Sequence, residues 1–219
     1  MPINIKYLES FQESEFMHVL AKAVGNNVLF NTDDNKIYFL HQYFAYLSGY
    51  VDTYCYCLLD NHVHWLVKCK SENELMDFLR IQNISQLKKH QREFLEGNIS
   101  FERAMEYQWK DFFISYALAF NKKNGRQGTL FVNPFRRISI KDENHLIQTI
   151  VYIHANPIKH KLQSKIEDCK YTSYKSLISD DITRLCKEKI LEIFGGREAF
   201  MDTHKSLINY YYINSYGME

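Results

Sequence analysis

The spacing of apolar residues along this chain switches repeatedly between the two-residue period of strands and the 3.6-residue period of helices. Phe16 to Val24 is apolar with β-branched content and predicts a first strand. Asn31-Thr32-Asp33-Asp34 offers helix N-cap residues, and Ile37, Phe39, Leu40, Phe44 and Leu47 then recur at helical spacing up to Gly49. Val51 to Leu59 predicts a second strand, with Tyr54 and Tyr56 on one face and Cys55, Cys57 and Leu59 on the other. Asp60-Asn61 turns the chain tightly into a third strand, His62 to Cys69.

Ser71-Glu72-Asn73-Glu74 has the form of a capping box, and the helix it opens is expected to run to about Leu95. Phe101 to Lys123 predicts another helix, dense in aromatics and closed by Gly125-Arg126-Gln127-Gly128. Thr129 to Ile140 reads as extended. Asp142 is a plausible N-cap for a helix carrying Leu146, Ile147, Ile150, Val151 and Ile153. That helix is expected to stop at Asn156-Pro157, because proline biases its predecessor away from helical angles. From Tyr171 the pattern is mostly helical. The order β-α-β-β-α-α-β-α predicts an α+β fold with helices packed on an antiparallel sheet.

Composition narrows the class. With 219 residues, 46% of them hydrophobic, the chain has material for one sizeable core, or a core domain with a helical appendage. Fifteen per cent aromatics against 8 Gly and 3 Pro exclude a disordered or linker-rich protein. A net charge of +1 gives no global electrostatic case for nucleic acid, so a binder must concentrate its basic residues on one face. Clusters for that purpose exist at Lys88-Lys89-His90-Gln91-Arg92, at Lys122, Lys123 and Arg126, at Arg136 and Arg137, and at Lys159-His160-Lys161. Taken singly, each reads equally well as a solvated helix face or loop tip. Five Cys without zinc spacing read as small core residues of a reduced protein. No apolar run approaches the ~20 residues needed to cross a bilayer, and the expected location is cytoplasmic.

Two motifs carry candidate chemistry. His62-Val63-His64 lies on a predicted strand, where alternate side chains share a face. Two neutral imidazoles so placed can chelate one divalent ion and leave positions open for a third ligand and substrate. The competing reading is two half-exposed polar residues on a solvated sheet face. Tyr152 and Asn156 lie four apart on a predicted helix and so stack on one side, away from the apolar stripe of Leu146, Ile150 and Ile153. With 16 Tyr in the chain, Tyr152 alone could be a boundary aromatic. A phenol with a pKa near ~10 becomes a useful nucleophile when a metal sharpens the electrophile, and an amide oxygen one turn on offers a third ligand. Tyr116, among Phe112, Phe113, Ala119 and Phe120, is the rival nucleophile, but its neighbours suit a core residue.

Leu58-Leu59-Asp60-Asn61-His62-Val63-His64-Trp65-Leu66-Val67 resembles the MPNHVHLLV signature of single-tyrosine HUH transposases. Tyr152-Ile153-His154-Ala155-Asn156-Pro157-Ile158-Lys159-His160 resembles the YIxxNPVKHG signature of their REP-associated branch, related to the IS200-like transposases. Between them, Phe120-Asn121-Lys122-Lys123 and Gly128-Thr129-Leu130-Phe131 are similar to that branch's FN and G-x-LF segments, and Tyr171-Thr172-Ser173-Tyr174 stands where it has W-x-SSY. The resemblance spans roughly Phe16 to Leu177. It implies a ferredoxin-like or RRM-like antiparallel sheet with helices packed on one face, residues 1–177 as a catalytic domain and 178–219 as a helical extension. It implies His62, His64 and Asn156 as ligands of Mg²⁺ or Mn²⁺, Tyr152 as the nucleophile, and single-stranded DNA beside a hairpin as substrate. Attack by Tyr152 would leave a 5′-phosphotyrosine and a free 3′-OH. Asp60 departs from the family's usual Pro, and Lys161 from its frequent Gly. Because the family includes monomers and dimers, a homodimer is left open. A non-cleaving relative that binds structured DNA or RNA is the first alternative, and an unrelated small metal hydrolase the second.

Overall fold

A computed structural model describes residues 7–213, with side chains through 208. Its centre is a four-stranded antiparallel sheet formed by β1 (Phe16–Lys22), β2 (Val51–Leu58), β3 (His62–Cys69) and β4 (Arg136–Ser139), in the order β2-β3-β1-β4. This is the ferredoxin-like strand order. The helix α1 (Asp33–Leu47) joins β1 to β2. Then α2 (Glu72–Arg80), α3 (Lys89–Leu95) and α4 (Phe101–Lys123) join β3 to β4. After β4 come α5 (Glu143–Lys159), α6 (Tyr174–Ile178), α7 (Lys187–Phe194) and α8 (Arg197–Ile213).

Local signals set the helix starts. Thr32 caps α1 by accepting from the Asn35 amide, Ser71 and Glu74 close the expected capping box on α2, and Asp142 accepts from the His145 amide at the start of α5. The helix expected to continue to Leu95 breaks after Arg80. The Asn83 side chain accepts from the Ser85 amide at 3.0 Å, and this local bond stabilises a short turn in place of another helical one. The expected extended run from Thr129 is interrupted: Leu130 to Val132 bond to the Lys22–Val24 end of the first strand, and after Pro134, which has no N–H to donate, a four-residue ladder forms at Arg136–Ser139.

The α+β architecture is as the pattern suggested, but helices cover both sheet faces, not one. On the first face α1 and α4 bury Phe39, Tyr43, Trp109, Phe112 and Tyr116 against Val19, Val63, Trp65 and Val67. On the second, α5 lies across β2 and β3, and α8 packs behind it. Leu66, Cys55 and Cys57 of the sheet meet Ile150, Val151 and Ile153 of α5, with Ile190, Phe194 and Phe200 sharing that core. The reason is legible in α5: every residue from Thr149 to Ile158 is buried, so the helix has apolar partners on two sides. A β-bulge between Thr53 and Cys55 also carries Tyr54 into this second core, beside Cys55, where strict alternation had separated them.

Both sheet edges are covered. The outer edge of β2 bonds to the Thr172–Ser173 segment and to Cys186, and the outer edge of β4 bonds to Glu9. No described helix is long and apolar enough to cross a membrane.

Candidate active site

Alternation along β3 sends Val63, Trp65 and Val67 into the first core and His62, His64 and Leu66 toward α5. The two imidazoles therefore share a face, with ring centroids 5.1 Å apart. They are not half-exposed: His62 and His64 retain 7% and 1% of their accessible surface, because α5 roofs this side of the sheet. Hydrogen bonds orient each ring. His62 Nδ1 lies 2.7 Å from Asn61 Oδ1, which only accepts, so Nδ1 carries the proton and Nε2 keeps its lone pair. His64 Nδ1 lies 2.9 Å from His18 Nε2, and His64 Nε2 is buried with no hydrogen-bond partner among the described residues. Burial first, and then the neighbouring imidazoles of His18, His62 and His160, hold the His64 ring far below the ordinary histidine range. Burial likewise pushes His18 down to about 4. Both rings are thus neutral at physiological pH, the form in which imidazole binds a metal.

Tyr152 comes from α5. It was expected off the apolar face, yet it is 4% exposed, because the side of α5 that reads as polar faces the histidines and not water. Its ring centroid stands 5.7 Å from that of His64 and 6.1 Å from that of His18, edge-on to both. One turn on, Asn156 is fully buried. Its Nδ2 donates to the Tyr152 carbonyl oxygen at 3.0 Å, which fixes the amide orientation. Asn156 Oδ1 is then left buried without a hydrogen-bond partner among the described residues.

The expected stop at Asn156-Pro157 does not occur, and α5 runs through Pro157 to Lys159. Proline removes only the one intrahelical bond to the Ile153 carbonyl, and the helix closes beyond it, where the amides of Leu162 and Gln163 donate to the Pro157 carbonyl at 2.8 and 3.3 Å. The extra turn matters for the site. It sets the Lys159 ammonium 5.2 Å over the Tyr152 ring and the His160 ring 5.0 Å from that of His62. Lys161, at the position where a Gly is frequent in the resembling family, has a left-handed φ of 57°.

The other basic candidates separate. Lys122 and Lys123 are exposed in the last turn of α4. That helix end sits by the Asp60-Asn61 turn: Asn124 accepts from Asn31, and the Leu29 amide donates to the Asp60 carbonyl. Arg136 lies opposite Leu20, which lies opposite His64, so all three share the α5 face, and its guanidinium stacks 5.1 Å from the Tyr7 ring. Two expected DNA contacts are committed elsewhere. Arg126 donates to Asn121 Oδ1 and to the Gly128 and Thr129 carbonyls, holding its own loop together. Arg137 is buried, pairs with Glu106, donates to the Glu9 carbonyl and stacks on Phe11 and Phe135. The rival Tyr116 is buried in the first core and donates to the Leu29 carbonyl at 2.6 Å.

His18 and Lys22 escaped the sequence reading. Both lie on β1 with the same parity as the His pair's partners, Lys22 directly opposite His62. The available signal was a histidine inside an apolar strand, at a position whose neighbours Met17 and Val19 face the other core. A buried polar relay was also missed. The Tyr56 amide donates to Ser173 Oγ, which lies 2.7 Å from His154 Nε2, and His154 Nδ1 lies 2.9 Å from His204 Nε2. His204 Nδ1 donates to the Phe200 carbonyl, which sets the proton positions along the chain from α8 back to β2.

Among the described residues, no three His, Cys, Asp or Glu side chains are arranged to hold a metal ion. A divalent ion on this face would therefore be held by the imidazoles together with an amide oxygen. His64 Nε2 and Asn156 Oδ1 are the orphaned buried atoms that suit that task.

No protein-family model and no curated protein matches this sequence. In structure the chain is similar to a REP-associated tyrosine transposase solved bound to a REP hairpin, at 10% identity and a TM-score of 0.55, over 80% of this chain and 91% of that one. At that identity the likeness is one of fold.

Proposed function

We propose that this protein is a metal-dependent enzyme that nicks and rejoins single-stranded DNA beside a hairpin, with Tyr152 as the nucleophile. The observation that carries the reading is the pair of buried, unsatisfied atoms His64 Nε2, on the strand against which the Tyr152 ring packs, and Asn156 Oδ1, on Tyr152's own helix. An unmade buried hydrogen bond costs about 1–3 kcal/mol, so two on facing elements suggest a missing common partner. His62, His64 and Asn156 would hold Mg²⁺ or Mn²⁺. The bound ion would supply Lewis-acid polarisation of a phosphate oxygen.

Tyr152 would attack phosphorus through its phenolic oxygen. The new O–P bond forms as the bond to the 3′ oxygen breaks, and the phenolic proton is exchanged for one on the departing 3′-OH. The DNA 5′-phosphate is then esterified to Tyr152, and reversal onto another 3′-OH needs no nucleotide cofactor. Lys159 places positive charge beside the phenol, where the phosphate would sit. Lys122, Lys123 and Arg136 are the remaining candidates to meet the DNA backbone. The hairpin substrate is carried over from the structural neighbour, whose own partner is a REP hairpin.

One observation favours a second reading, a relative that binds structured DNA without cutting it. Tyr152, His62 and His64 are all nearly covered in this conformation, so a phosphate must displace something to reach them. A denaturing gel of the protein with a hairpin-bearing oligonucleotide separates the two. The proposed enzyme forms a covalent protein–DNA band with Mn²⁺ and none with chelator. A protein that retards the same oligonucleotide on a native gel but never forms that band is the non-cleaving relative.

A further inference from the structure

The environment of His64 has a feature that the His-x-His motif does not contain. Its inner nitrogen meets another histidine, His18, from the neighbouring strand β1. The rings stack 5.2 Å apart and 21° from parallel, with His18 Nε2 2.9 Å from His64 Nδ1. Only one proton can lie between the two nitrogens. If His18 donated it, His64 would carry its own proton on Nε2, a buried donor with no acceptor among the described residues. If His64 donates it, Nε2 presents a lone pair. Buried orphan N–H groups are rarer than under-satisfied acceptors, so the second arrangement is favoured even before any ligand binds.

We infer that His18 is a positioning residue for His64: it accepts the His64 Nδ1 proton, fixes that ring as the Nδ1–H tautomer, and aims the Nε2 lone pair at a divalent cation. The inference rests on the metal-dependent reading above for the cation, but the tautomer stands on this chain's geometry alone. The strand pairing gives His18 a further reason to be exact in position. His18 pairs with Leu66 in the β1–β3 register, one diagonal step from His64, and on its other side with Ile138 of β4. Its ring also lies edge-on to Tyr152, so the same side chain touches both the His64 ring and the phenol's ring. Asn61 Oδ1 does the equivalent for His62, by accepting from Nδ1. The two imidazoles are thus held in the same protonation pattern by two different acceptors, one from the preceding turn and one from the adjacent strand. Outer acceptors of this kind typically contribute 10–100-fold in metal affinity.

The test uses the full chain with Mn²⁺ as the probe, in wild type, His18→Leu and His18→Gln, with thermal unfolding to confirm that each variant folds. Gln keeps an acceptor oxygen near the place of Nε2, and Leu fills the space without one. Nitrogen-15 NMR of the imidazoles without metal is expected to show His64 as the Nδ1–H tautomer in wild type. Calorimetry is expected to show Mn²⁺ affinity falling about 10–100-fold in His18→Leu and recovering most of the way in His18→Gln. A wild-type His64 found as the Nε2–H tautomer overturns the inference outright. So does unchanged Mn²⁺ affinity in a folded His18→Leu protein, an outcome that leaves the metal-dependent reading intact. If wild type shows the Nδ1–H tautomer but binds no Mn²⁺, the metal-dependent reading fails and takes the positioning role with it.

Discussion

Asn156 donates through Nδ2 to the carbonyl oxygen of Tyr152, one turn back on the same buried helix. The bond locks the side-chain amide and leaves Oδ1 as the orphan. Asn156→Leu keeps the size of the side chain while removing both atoms. One modest hydrogen bond is lost and one unsatisfied oxygen is relieved, so stability should move by no more than about 1 kcal/mol. Metal-dependent cleavage should fall by two orders of magnitude or more. Urea unfolding and a nicking assay on the same preparation check both halves; a stable variant that cuts normally removes Asn156 from the ligand set.

Lys161 holds a left-handed φ of 57° directly after α5. For a residue with a Cβ this conformation costs about 1–2 kcal/mol, against the 0.5–1 kcal/mol that glycine loses in chain entropy. Lys161→Gly should therefore be neutral or stabilising by up to ~1 kcal/mol, and Lys161→Val clearly destabilising. Thermal melts of the two variants give opposite signs if the cap is as described.

His204 is buried against His154 and Phe200, and burial pushes it down to about 4. Its folded-state value lies below the ordinary 6.5 of the unfolded chain. Above pH 6.5 neither state takes the proton. As the pH falls toward 4 only the unfolded state does, so stability is lost on acidification, by up to ~1.4 kcal/mol per pH unit. His204→Phe should be less stable than wild type at pH 7, since it leaves the His154 N–H without its acceptor, but its stability should fall less steeply between pH 6.5 and 4. Denaturant midpoints across that range decide it, and parallel curves for the two proteins would contradict the assignment.

The basic residues should divide by burial. Arg137→Ala breaks a largely buried pair with Glu106 and should destabilise the fold by several kcal/mol. Replacing Lys122, Lys123 and Arg136 together should leave unfolding nearly unchanged. It should weaken single-stranded DNA binding and flatten its salt dependence by about 0.7 per lost contact. An unchanged slope places the DNA elsewhere.

The sheet and the His-x-His strand were legible because period-two alternation is a local property, and neither Val63 nor Trp65 can face the side that His62 and His64 face. The capping signals at Thr32, Ser71 and Asp142 were local too. The burial of Tyr152 was not, because an amphipathic reading assumes that the polar side of α5 meets water. Here it meets imidazoles, and residues from beyond position 180 close its other side. Pro157 misled for a related reason: the carbonyl-capping turn formed by Leu162 and Gln163 lies downstream of the apparent stop. His18 went unseen because its role depends on strand register with β3, which no single stretch of sequence displays.

Attack of the Tyr152 phenol on DNA phosphorus is the step on which the proposed function depends. The direct measurement is peptide mapping by mass spectrometry of the adduct formed with a hairpin-bearing single-stranded oligonucleotide and Mn²⁺, in wild type, Tyr152→Phe and Tyr116→Phe. Removing one oxygen from a buried ring keeps the packing, so Tyr152→Phe should fold and bind DNA. A nucleotide-bearing phosphotyrosine is expected on Tyr152 in wild type and in Tyr116→Phe, and no adduct in Tyr152→Phe. An adduct on any other residue, or cleavage that survives in Tyr152→Phe, would contradict attack by Tyr152.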